Sequence, residues 1–177
     1  MSTAIAIAAG TWTIDTAHSE VGFTVRHLGL AKVRGRFNTF SANLEVADDP
    51  AASSLSAAVE LASVDTNQAD RDAHLKGTDF FNIETQPQMT FQSTSLSETS
   101  MTGPLTINGV TQPTTFDVEF FGVTTDPYGN TKAGFSASSE IKRSDFGVDF
   151  NIPGGLEGMV ISDKVRIELE VQFQHQA

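Results

Sequence analysis

Asp163-Lys164-Val165-Arg166-Ile167-Glu168-Leu169-Glu170-Val171-Gln172-Phe173 alternates apolar and polar residues without a break. Val165, Ile167, Leu169, Val171 and Phe173 take one side, and Arg166, Glu168, Glu170, Gln172 and Gln174 the other. A period of two is the signature of a half-buried strand. At about 3.3 Å per residue the run spans roughly 36 Å, beyond the ordinary strand length. Strands this long build a deep barrel or a sandwich.

The same period recurs upstream. Val21, Phe23 and Val25 face one way, Thr24 and Arg26 the other, and His27 falls on the apolar side. Val33, Gly35 and Phe37 alternate with Lys32, Arg34 and Arg36, and the run continues through Phe40, Ala42, Leu44 and Val46 after a phase shift near Phe40 that predicts a bulge. Further strands are read at Ala57-Val59-Leu61, Met89-Phe91, Leu105-Ile107, Phe116-Val118-Phe120 and Phe135-Ala137-Ile141. Asp48-Asp49-Pro50, Asn108-Gly109, Asp126-Pro127-Tyr128-Gly129-Asn130 and Pro153-Gly154-Gly155 punctuate them as turns. The pattern predicts an all-β fold of about eight antiparallel strands. A closed barrel leaves no edges, but a two-sheet sandwich shows the same alternation. One segment, Asp65 to Gly77, breaks the period. It opens on capping residues, carries Asp70 and Asp72 early and Lys76 late, and stops at Gly77, which predicts a short helix. Phe80-Phe81 follow at once and are expected, with the helix, to roof one barrel end.

The chain has 177 residues and no composition break, long linker or repeat, so a single domain over 10–174 after a flexible segment 1–9 is expected. Thirteen Phe stand against one Trp and one Tyr. Phe has no polar handle, so this bias points to a dry interior. Eleven Lys and Arg against 22 Asp and Glu give a net charge of −11, which excludes nucleic acid and disfavours attachment to an anionic membrane through a basic patch. There is no Cys, hence no disulfide, thiolate metal site or Cys nucleophile. The opening residues carry no Lys or Arg beside their apolar patch, and no stretch is long enough to span a membrane. A cytoplasmic location is expected; a trimmed N-terminus would instead place the protein in the periplasm or outside the cell.

The inward set predicts an apolar tube lined by Phe23, Val25, His27, Phe37, Leu44, Val59, Leu61, Met89, Phe91, Phe116, Val118, Phe120, Phe135, Ile141, Ile167 and Leu169, with Phe80 and Phe81 at the roof. Catalytic motifs are absent: Ser139-Glu140-Ile141-Lys142 matches S-x-x-K, but alternation sends Ser139 and Lys142 to opposite faces. No phosphate loop or dinucleotide fingerprint occurs, and no cofactor is expected. His18, His27 and His74 form no paired metal motif, so a metal-assisted hydrolase would need the fold to bring them together. Arg71-Asp72 and Arg143-Ser144-Asp145 read either as ion pairs that pin the helix and close an end, or as a polar ring for an amphiphile's head.

Trp12-Thr13-Ile14-Asp15-Thr16-Ala17-His18-Ser19, with Val21-Gly22-Phe23 and His27, resembles the opening of the YceI-like family. The likeness continues through Gly35-Arg36-Phe37, Thr66 ahead of Arg71-Asp72-Ala73-His74-Leu75, Phe80-Phe81, Pro87 ahead of Phe91, Leu105-Thr106-Ile107-Asn108-Gly109-Val110-Thr111 and Arg143-Ser144-Asp145-Phe146-Gly147. The resemblance implies a lipocalin-like eight-stranded barrel with a helix beside it, usually a homodimer, holding a long isoprenoid or related amphiphile, with no established catalysis. The family's recurring polar positions map onto His18, His27, Arg71, Asp72, His74, Arg143 and Asp145, with Ser19 beside the first of them, as polar-head or barrel-end candidates. Many members carry a secretory signal peptide, which the opening residues here do not match.

Overall fold

A computed structural model describes residues 7–156 and 158–176. Residues 1–6 of the expected N-terminal segment lie outside the described residues. The alternating runs become β1 (Gly10–Ile14), β2 (Glu20–His27), β3 (Ala31–Phe37), β4 (Phe40–Val46), β5 (Ser54–Glu60) and β6 (Val64–Asp65). After α1 (Ala69–Lys76) come β7 (Gln88–Gln92), β8 (Ser95–Leu96), β9 (Ser100–Ile107), β10 (Val110–Thr125), β11 (Thr131–Lys142) and β12 (Lys164–His175).

Every described pairing is antiparallel, and the sheet closes because β12 pairs with β11 on one edge and with both β1 and β2 on the other. Periodicity left barrel and sandwich open; this closure makes it a barrel. β1 with β2, β3 with β4, β5 with β6 and β7 with β8 each act as one interrupted stave, and with β9 to β12 they complete eight. The interruptions let long strands coil around a narrow interior. The phase shift expected near Phe40 falls at Asn38 and Thr39. There the ladder is replaced by Asn38 N–H donating to the Ser63 carbonyl at 3.2 Å and Thr39 N–H to Ser63 Oγ at 3.0 Å.

The interruption between β7 and β8 requires a glycine opposite it. A Cβ at Gly103 would lie 2.0 Å from the Gln92 carbonyl oxygen, a backbone atom with nowhere to go. Gly103→Ala is expected to destabilise the barrel by about 1–3 kcal/mol through overpacking. Urea denaturation reads this directly, and an unchanged midpoint would contradict so close an approach.

The helix is short, as expected, but begins late in its segment. Val64 and Asp65 pair with Phe37 and Arg36, and Asn67 sits at φ 63°, outside helical space, so α1 starts only at Ala69. Gln68 caps it by accepting the Arg71 N–H at 2.7 Å, and Gly77 ends it as expected. α1 and Phe80-Phe81 sit at the barrel end formed by the β2–β3 hairpin and the segment 143–163. The opposite end is packed shut by Trp12, fully buried, with Leu44, Val46, Ala133, Phe135 and Phe173. The Trp12 indole N–H donates to the Ala8 carbonyl at 2.9 Å, so its polar edge is satisfied.

Candidate functional site

Inside the barrel lie two apolar chambers. The deep one, of about 130 Å³, is walled by Leu44, Val59, Phe91, Phe116, Val118, Phe135 and Leu169 among others, and the surface it presents is entirely apolar. The mouth chamber, of about 550 Å³, is walled by Phe23, Val25, His27, Phe37, Phe80, Phe81 and Ile141. It reaches the surface past the exposed Arg26, His27, Arg71, His74 and Ile152. Met89, Ile167 and Val21 border both chambers.

Two of the expected wall residues are elsewhere. Leu61 is fully buried in the short helical turn Leu61–Ser63, packed with Val21, Phe37, Val59 and Val64, because the chain leaves the ladder there. Phe120 stacks on Phe135 with ring centroids 5.0 Å apart, just before the register shift between Phe120 and Gly122, and so backs the closed end. Conversely, Val148, Phe150, Ile152, Val160 and Ile161 line the mouth from a segment outside the expected strands. Their signal is present in the sequence: 148, 150 and 152 alternate, and the Pro153-Gly154-Gly155 turn returns the chain to Val160-Ile161.

The polar candidates divide by what they hold. Arg71 and Asp72 do not pair with each other; both grip the buried Thr66. The Asp72 carboxylate accepts the Thr66 N–H at 2.9 Å and its hydroxyl at 2.5 Å, while Arg71 donates to Thr66 Oγ1 at 2.8 Å and to its carbonyl at 2.7 Å. This pins α1 to β6 and leaves Arg71, but not Asp72, on the chamber wall. Arg143 is 7% exposed and donates to the carbonyls of Val148, Phe150, Ile161 and Ser162, so it faces the mouth but is committed to its own loop. Burial pulls its pKa below the usual arginine value, with Asp163 and Asp149 opposing. The Asp145 side chain is exposed and off the wall, since its turn directs only its carbonyl inward, to the Gln112 amide at 3.0 Å. His74 lies on the wall, its ring edge-on to Phe80 and Phe150, and its Nε2 is 2.9 Å from Asp79.

His18 and Ser19 border neither chamber. They belong to the turn that joins β1 to β2: His18 Nδ1 is 2.8 Å from Asp15 Oδ2, and Ser19 Oγ accepts the Gln172 N–H at 3.0 Å. The convergence that a metal-assisted hydrolase would need does not occur, since His27 and His74 line the mouth chamber and His18 lies apart, and among the described residues no three His, Asp or Glu side chains gather as a metal site.

Asp15 is the anchor of that turn. Its Oδ2 lies 2.6 Å from Lys132 Nζ, both side chains being largely buried, and the Lys132 hydrogen bond holds its carboxyl down at about 2 from an ordinary 3.8. A carboxyl lowered by folding stabilises above its unfolded pKa and loses that contribution as pH falls through the folded one. The pair is therefore expected to contribute at most about 2 kcal/mol near neutrality, lost between about pH 4 and pH 2. Asp15→Asn should be less stable at pH 7 and flatten that acid limb; an identical stability–pH curve would remove the pair from the account.

The YceI-like domain model matches residues 12–173. The chain is 40% identical over 136 residues to protein YceI of Escherichia coli O157:H7, covering 74% of this chain and 71% of that one. The crystal structure of the Campylobacter jejuni YCEI protein is 35% identical and superposes with a TM-score of 0.70, covering 92% of this chain and 96% of that one. A Saccharophagus degradans domain described as polyisoprenoid-binding and implicated in plant cell wall breakdown shares the fold at 16% identity and a TM-score of 0.66, over 93% and 98% of the two chains. With the barrel, its helix and the ordered motifs from Trp12 to Phe173 all in place, the chain belongs to the YceI-like family.

Proposed function

We propose that the protein is a non-catalytic carrier or store for a long-chain isoprenoid or similar amphiphile, whose hydrocarbon tail occupies the chambers and whose head rests near His27, Arg71 and His74. The observation that carries this reading is the mouth chamber: about 550 Å³, walled mainly by carbon, with Arg26, His27, Arg71 and His74 where it meets solvent and the buried Arg143 and Thr66 satisfied by their own hydrogen bonds. That volume lies within the usual range for ligand sites, about 300–1,000 Å³. Each buried CH₂ contributes about 0.8 kcal/mol, so one five-carbon unit gains roughly 4 kcal/mol before ordering costs. Such binding needs little polar recognition along the tail. The polyisoprenoid-binding description of a domain with the same fold agrees with it. Organic extraction of the purified protein followed by mass spectrometry should release a prenyl lipid, and delipidated protein should take up an added polyprenol. Neither extracted amphiphile nor uptake would end this reading.

A further inference from the structure

The rim of the mouth chamber is formed by the β2–β3 hairpin and the segment after Arg143, hydrogen-bonded to each other. Leu28 N–H donates to the Val160 carbonyl at 2.8 Å and Leu156 N–H to the Leu28 carbonyl at 2.9 Å. This joined rim presents three large apolar side chains to solvent: Leu30 is 62% exposed, Ile152 56% and Leu156 77%. Ile152 also lines the chamber, so the exposed patch is continuous with the cavity wall.

Charge is distributed unevenly about this rim. Of the 11 Lys and Arg, every one but Lys132 falls in the half of the barrel nearer the mouth, β3 leaving it with Lys32 and Arg34 and β12 with Lys164 and Arg166. On the outer face of β2, β3 and β12, Asp65, Glu140 and Glu168 pair with Arg36, Lys164 and Arg166. Arg26, Lys32 and Arg34, all exposed and flanking Leu30, have no ion pair among the described residues; Arg26 donates to the Leu30 carbonyl at 3.1 Å. The mouth half also carries acids, among them Asp70 on the chamber wall, Asp79, Asp145, Asp149 and Asp163, which largely balance its cations, whereas the opposite end carries Glu45, Asp48, Asp49 and Asp126 with Lys132. The net charge of −11, which argued against contact with an anionic membrane, averages over these two unlike ends.

We propose that this rim docks on an anionic lipid surface, with Leu30, Ile152 and Leu156 in the headgroup–acyl boundary and Arg26, Lys32 and Arg34 against lipid phosphates. Exposed apolar side chains beside unpaired cations are the chemistry of interfacial membrane binding. The acidic opposite end is repelled by the same surface, which turns the mouth toward the lipid. Docking brings the opening of the chamber to hydrocarbon, so a tail can pass without crossing water.

Vesicle co-sedimentation tests this, using vesicles of phosphatidylcholine alone and vesicles containing one third phosphatidylglycerol, neither holding any isoprenoid. That choice separates docking from loading of the cavity, which polyprenol uptake measures independently. The wild-type protein should prefer the anionic vesicles on the order of a hundred-fold at low salt, and the preference should shrink as salt is raised. K32E/R34E should abolish the preference, and L30S/L156S should weaken binding at least about fivefold, since both pairs lie on exposed surface and leave the core intact. Absence of vesicle binding, or binding that both variants retain, overturns the proposal. So does a wild-type dimer by light scattering that L30S/L156S converts to monomer without any vesicle binding, because the rim is then a contact between two copies.

Discussion

Replacing Arg143 with methionine is expected to lower the unfolding free energy by about 3–5 kcal/mol, because several buried carbonyls lose their donor at once. The reason is the number of partners left behind. The guanidinium donates at 3.0, 2.9, 2.8 and 3.2 Å to the carbonyls of Ser162, Val148, Phe150 and Ile161, which come from the two arms of one long connection. Without it, the carbonyls of Ser162, Val148 and Phe150 face an apolar side chain while that of Ile161 keeps the Asn151 amide at 2.7 Å, and an unsatisfied buried acceptor costs about 1–3 kcal/mol unless the loop opens to water. The loop is also tied down by Asp163, which accepts the Ser144 N–H at 2.9 Å and its hydroxyl at 2.7 Å, so it should loosen rather than detach. Hydrogen exchange should accelerate over 147–162 more than in β9 to β11. Arg143→Lys should rescue little, because a point ammonium cannot satisfy a fork of four carbonyls. Unchanged stability in the methionine variant would show that these carbonyls have other donors.

The second large effect is on binding. Val118→Asp is expected to weaken polyprenol uptake by at least about a hundred-fold at pH 8, because a carboxylate in this wall must be desolvated against hydrocarbon. Val118 lies in the middle of β10, paired with Ala137 and facing the deep chamber, whose lining surface is entirely apolar. A carboxyl there titrates above its ordinary range, so uptake should partly recover at about pH 5, when the acid is neutral. Val118→Thr, close in shape, should lose far less, and circular dichroism establishes that each variant is folded. Phe91→Asp, edge-on to Phe116 in the same chamber, should behave alike. Retained affinity in folded forms of both acidic variants would mean that the tail does not reach the deep chamber.

Much of this architecture is legible in the residues. Period-two alternation from Val21 to Phe37 and from Val165 to Phe173 fixes which side chains face inward, since consecutive Cβ atoms on a strand point to opposite faces. That parity alone puts Phe23, Phe37, Phe91, Phe116 and Phe135 on the inward face, where they wall the chambers. The polar candidates were less legible. Arg143 shares inward parity with Ile141, but parity does not say whether a guanidinium meets a ligand or four carbonyls of its own loop. Likewise Arg71 and Asp72, adjacent in sequence, could be read as an ion pair; their common partner is Thr66, one strand end away.

Local chemistry by itself determined strand phase, turn positions, the Gly77 helix stop and a dry, Phe-rich interior. Only the tertiary structure decided that the sheet closes, that the interior divides into two chambers bordered by Met89, and that the cations gather at one end. Volume is what remains between side chains from distant strands, and a charge's position along the barrel depends on which way its strand runs. Both are properties of closure, a long-range event that no window of neighbouring residues encodes.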